Sequence, residues 1–155
     1  MRFFEKVTDL NDGADVLRRR AFGMIVFDNE RLEAIHLRPW PKLASIPEVL
    51  WGQLWHHRKA GGNRCWLYYN QPASCPNFLA LQYAVSSRET TLGTIRGSLQ
   101  VLDQIARLKQ TDAIVTDVTN QKISNRLLER WGWESHVPSS RRRHYIKRFY
   151  GEWPV

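Results

Sequence analysis

Apolar positions along this chain follow two periods, and the period switches several times. Residues 22–28 read FGMIVFD and 32–37 read LEAIHL, with Asn29-Glu30 between them, which predicts two strands joined as a hairpin. Upstream, RFFEKV at 2–7 predicts a short first strand, and Thr8 or Asp9 opens a helix over about 9–20 that ends in three arginines. RCWLYYN at 64–70 and FLALQYAVSS at 78–87 predict two further strands. In the second, Phe78, Ala80, Gln82 and Ala84 fall on one face and Leu79, Leu81, Tyr83 and Val85 on the other. Both faces are mostly apolar, so this strand is expected at the centre of a sheet, covered on both sides.

The helical period takes over elsewhere. Ser45-Ile46-Pro47-Glu48 is a capping box and opens a helix to about residue 60, with Ile46, Val49, Leu50, Trp51, Leu54 and Trp55 on its apolar face. Ile95, Leu99, Leu102 and Ala106 recur at helical spacing, widened by Val101, Ile105 and Leu108, and predict a long amphipathic helix within 88–110. AIVTDV at 113–118 reads as a buried strand. Ile123, Leu127, Leu128 and Trp131 then give the apolar face of a helix over about 121–131, capped by Thr119 or Asn120 and stopped by Gly132. Trp133 begins another strand, and HYIKRFY at 144–150 is the last.

Composition adds limits. The 155 residues, 43% of them hydrophobic, suit one domain over 1–155, and no linker or repeat divides it. The net charge of +8 favours anionic partners. Cys65 and Cys75 lack a CxxC and lack histidines at zinc-like spacing, so free thiols are expected, with a disulfide closing the ten-residue loop as the alternative, and a metal site is not expected. No signal-peptide pattern opens the chain, and no apolar run approaches the ~20 residues that cross a bilayer. A cytoplasmic protein that does not enter membranes is the expectation.

The order of elements in the second half is strand, Gly-containing polar loop, long helix, strand, Asn-capped helix, Gly-aromatic, strand. With its helix end Leu127-Leu128-Glu129-Arg130-Trp131-Gly132-Trp133, this half resembles the GNAT superfamily of N-acetyltransferases over about residues 78–150. The resemblance implies an α/β (α+β) fold, a mixed and mostly antiparallel central sheet flanked by helices on both faces. It implies transfer of an acyl group from acetyl-CoA or another acyl-CoA to an amine, by direct attack of the amine on the thioester. In such a site Gly93, Thr94, Arg96, Gly97 and Ser98 would hold the pyrophosphate where the long helix begins. Asn120 and Asn125 would lie along the pantetheine arm, with Ser124 beside them. The segment differs from the family's loop at Thr90 and Ile95, and Leu128 stands where many members carry an acidic Tyr. Tyr83, His144, Tyr145 and Asp117 are candidates for proton transfer, with none singled out. The acceptor is not legible, and residues 22–70 match the family poorly and are expected on the acceptor side.

Two readings of another class stand beside this one. A chain with an altered loop and no such Tyr could be an inactive interaction module with the same fold. The basic and aromatic stretch at 139–153 could bind single-stranded nucleic acid: Arg143, Tyr145, Lys147 and Phe149 would share one strand face.

Overall fold

The structure, a computed structural model, describes residues 5–38, 62–118, 124–135 and 143–154. Its strands are β1 (Glu5–Val7), β2 (Phe22–Asp28), β3 (Arg31–Arg38), β4 (Arg64–Asn70), β5 (Phe78–Ser86), β6 (Ala113–Val118), β7 (Glu134–Ser135) and β8 (Arg143–Arg148). The helices described are α1 (Ala14–Arg19), α2 (Leu92–Lys109) and α3 (Asn125–Arg130). All eight strands join one sheet in the order β1-β3-β2-β4-β5-β6-β8-β7. Every neighbouring pair is antiparallel except β5 and β6, which are parallel and joined through α2. This is the expected mixed, mostly antiparallel sheet. The helix expected near 45–60 lies outside the described residues.

Strand alternation sends Ile25 and Phe27 of β2 and Cys65, Leu67 and Tyr69 of β4 into the main core. Leu17 of α1, Ile95, Leu102 and Ile105 of α2 and Leu128 of α3 complete it. Helices were expected on both faces of the sheet; among the described residues, all three feed this one cluster. The opposite face carries a smaller cluster of Val26, Trp66 and Val85.

Several boundaries differ from the sequence expectation, each for a local reason. The Asp9 carboxylate accepts from the backbone N–H groups of Asn11 and Asp12, so it closes a turn, and α1 starts only at Ala14. Ser87 and Thr90 likewise build a turn, and α2 starts after the Thr91 cap, whose hydroxyl accepts from the Thr94 N–H. Ser124 caps α3 by accepting from the Leu127 N–H, so the helix begins four residues later than expected. At the other end of α3, Trp133 N–H donates to Leu128 C=O and Gly132 N–H to Glu129 C=O. That is a Schellman closure, and it requires the positive φ of 92° found at Gly132. Past Arg148, Phe149 N–H still donates to Asp112 C=O in continuation of the register, and the chain then turns at Tyr150, whose φ is 54°. The cysteines are free, as expected, with Cys65 buried and Cys75 exposed.

The β6-β8-β7 half of the sheet meets the rest through the shared core and a short strand pairing. Residues 78–81 pair with 113–116. Asp112 N–H donates to Asn77 C=O, and the Trp153 indole donates to Thr111 C=O. On the core side Lys147 of β8 reaches Asp103 of α2 at 2.7 Å, with both side chains nearly buried. Burial raises the Asp103 carboxyl above its ordinary range even though Lys147 pulls it down, so removal from water outweighs the pairing there. Lys147→Met, which strands the buried carboxylate, should lower the unfolding free energy by about 3–5 kcal/mol in chemical denaturation. The Asp103→Leu/Lys147→Met double variant should be close to neutral.

Lys109, at the end of α2, donates to Arg18 C=O and the Gln71 amide oxygen, and burial lowers its amine to about 8. The unfolded chain then holds more protons than the folded one between pH 8 and the ordinary 10.5. Stability should therefore rise across that window, and Lys109→Met should flatten the rise in pH-dependent thermal melts.

Candidate functional site

The parallel pair separates early. Its register covers Phe78–Leu81 against Ala113–Thr116 and then ends. Beyond that point, among the described residues, β5 runs on to Ser86 paired only with β4, and β6 runs on to Val118 paired only with β8. A gap therefore opens at the carboxyl end of the parallel pair. The Thr116 hydroxyl donates to Leu81 C=O at 3.0 Å and closes its base.

β5 is irregular at this place. Tyr69 pairs with Leu81 but Tyr68 pairs with Tyr83, so Gln82 is an extra residue with no register partner in either neighbouring strand. The bulge turns the rest of the strand over. Leu79 and Leu81 face the main core, whereas Val85 packs on the opposite side with Trp66. The expected strand, covered on both faces throughout, is thus found only in its first half: Gln82 and Ala84 are exposed.

Both segments that the sequence marks for ligand contact follow the open ends of these strands: 93–98 after β5, and 120–125 after β6. Of the first group, Arg96 is exposed. Thr94 and Ser98 are fully buried against the sheet. The Thr94 hydroxyl accepts from Glu30 N–H at 3.0 Å, and the Ser98 hydroxyl donates to Ile95 C=O at 2.7 Å. Gly97 lets α2 press on β2: a Cβ there would meet the Phe27 ring at 2.5 Å. Gly93 faces the Glu30 side chain, and a Cβ there would fall inside the Glu30 carboxylate. In the second group, Asn125 is exposed in the first turn of α3, and Asn120 lies outside the described residues.

Sequence reasoning missed Glu30, Asn63 and Thr91, which meet at the start of α2. Asn63 Oδ1 accepts from Thr91 N–H at 2.9 Å, and Thr91 Oγ1 donates to the Glu30 carboxylate at 3.2 Å. These residues lie 28 to 61 positions apart in the chain, so no local motif joins them.

Candidates for proton transfer are dispersed. Tyr145 is buried at 3% exposure, and Leu128 fills the core at 3%. Asp117 and His144 are opposite one another in the β6–β8 register near the open end. The Tyr83 and Asp117 side chains lie outside the described residues. Burial raises Cys65 to about 11, so it stays a thiol near neutral pH and is no nucleophile. Tyr145 and Phe149 are core residues and Lys147 is paired to Asp103, so the last strand presents none of them as a stacking face. Among the described residues no group of three or more His, Cys, Asp or Glu is placed to hold a metal ion, and no helix is long and apolar enough to cross a membrane.

No protein-family model matches the chain, and no curated protein matches it. Solved structures do resemble it. One is described as an acetyltransferase of the GNAT family from Desulfovibrio desulfuricans, 13% identical with a TM-score of 0.46; 54% of this chain aligns with 60% of that one. Nourseothricin acetyltransferase is 10% identical, with 95% of this chain aligned to 99% of that chain and a TM-score of 0.44. The C-terminal condensation domain of Ebony, solved with beta-alanyl-dopamine, is 13% identical, covering 90% of this chain and 78% of that one, with a TM-score of 0.37.

The packing of Gly97 gives a direct test. Gly97→Ala must push α2 off Phe27 and should cost about 1–3 kcal/mol in urea unfolding. Arg96→Ala, at the neighbouring exposed position, should stay within about 0.5 kcal/mol.

Proposed function

We propose that the protein is an N-acyltransferase that takes the acyl group of acetyl-CoA or another acyl-CoA and passes it to an amine. The observation that carries this reading is the gap between β5 and β6, with the Gln82 bulge at its entrance. In open α/β sheets, ligands bind at the carboxyl ends of parallel strands where neighbouring connections diverge. A pantetheine arm is an extended chain with two amides. Such a chain is matched by two strand edges that lack a partner, and these edges offer it backbone donors and acceptors.

Chemistry follows from that placement. With the arm between the strands, the thioester lies near Gln82, the bulged residue that has no register partner in either neighbouring strand. A donor at that point stabilises negative charge on the thioester oxygen as the amine attacks. The amine nitrogen bonds to the carbonyl carbon and releases a proton. The carbon–sulfur bond breaks, and the CoA thiolate leaves and is protonated. Leu128 cannot supply that proton, so it comes from water or from another residue at the mouth. Asn125 and Arg96, exposed at the starts of α3 and α2, border the site in this reading. The fit is good for the arm and the thioester. It is poor for the pyrophosphate, since Thr94, Gly97 and Ser98 are turned into the core.

Calorimetric titration with acetyl-CoA and with CoA tests the reading. Micromolar binding is expected. Ala84→Trp, at an exposed position on the wall of the gap, should weaken it at least about tenfold with the melting temperature unchanged. Absence of binding up to millimolar concentration would rule the acyltransferase out.

A further inference from the structure

The start of α2 is where a helix would hold a donor's phosphates, through free N–H groups and the positive end of its dipole. Here part of that helix end is already engaged by the chain's own groups. Thr91 N–H goes to Asn63 Oδ1, Thr94 N–H to Thr91 Oγ1, and Ile95 N–H to Thr91 C=O. Over Gly93, the next residue of the turn, lies the Glu30 carboxylate, held by the Thr91 hydroxyl.

A second observation comes from the turn that delivers Glu30. Asn29 and Glu30 have φ of 49° and 65°, both left-handed. Two-residue hairpin turns of this kind favour glycine at the second position, where a side chain is strained. Glutamate occupies it instead, with its N–H on the Thr94 hydroxyl and its carboxylate on the first turn of α2. The strained residue is the one that brings a negative charge to the helix dipole.

We infer that Glu30 is a built-in anion that takes the place of a donor's pyrophosphate at α2. The substrate class is then any acyl thioester of pantetheine, recognised by its arm and not by its nucleotide diphosphate. This rests on the acyltransferase reading for the donor, while the occupancy of α2 can be measured without it.

Two titrations test it on the full chain. In the first, inorganic pyrophosphate is added to the 15N-labelled protein and its Glu30→Gln variant. The Gly93 and Thr94 amide signals should stay fixed in the parent and shift in the variant. Unmoved signals in the folded variant, or shifts already present in the parent, overturn the inference. In the second, the dissociation constants of CoA and pantetheine are compared. The parent should hold them within about tenfold of each other, and Glu30→Gln should favour CoA by about a further tenfold. CoA bound more than about a hundredfold tighter than pantetheine by the parent would overturn the inference. If neither ligand binds, the acyltransferase reading fails, and the pyrophosphate arm still decides the role of Glu30. Glu30→Gly, which also relaxes the turn, serves if Glu30→Gln does not fold.

Discussion

Four residue pairs between β5 and β6 hold the two halves of the sheet together. Within the sheet they are the join on the β6 side: among the described strands β8 and β7 pair beyond β6, and the chain enters this half through α2. The join is short because β5 bulges at Gln82 and each strand then follows its antiparallel neighbour. Right-handed twist drives such neighbours apart wherever no hydrogen bonds bind them. The bonds of Thr116, Asn77 and Asp112 reinforce the join at its base. The Asp103–Lys147 pair does the same from the core side. The gap is therefore a consequence of how the halves are fastened.

Electrostatics at the same end of the sheet work differently from the net charge. The chain carries +8, yet the positive end of its longest described helix meets a carboxylate of its own. Beside it, Asn63 Oδ1 accepts from Thr91 N–H and the Thr91 hydroxyl from Thr94 N–H. A helix terminus gains from any anion within its first turn, and one supplied by the chain costs no association entropy. In the proposed reading, the two halves of a pantetheine-linked donor would meet unequal reception: strand edges for the arm, and a position shared with a carboxylate for the diphosphate.

Much of the fold was legible in the sequence because it rests on local periodicity. The β2–β3 hairpin, β4, β6 and the buried stripe of α2 agree with the alternation and helical spacing read from the chain. The Trp131-Gly132-Trp133 end was legible for the same reason, since a left-handed residue after a helix is a local demand. Boundaries were less legible. Asp9, Thr91 and Ser124 each had competing partners nearby, and only the folded backbone shows which hydrogen bond prevails.

The sequence by itself determined that a long amphipathic helix would join two apolar strands, and that polar segments would follow both strands, the first of them bearing glycines. Tertiary structure alone decided where those segments point. Gly93, Thr94, Gly97 and Ser98 are spaced for a helix start, but Thr94, Gly97 and Ser98 fall on the face that packs against the sheet, and Gly93 faces the Glu30 side chain. Whether such a face meets a ligand or a core is a long-range question. It was settled by Phe27 and Glu30, more than sixty residues earlier in the chain. The bulge at Gln82 is likewise invisible in the alternation of β5, because an extra residue shows only when the partner strand is laid beside it.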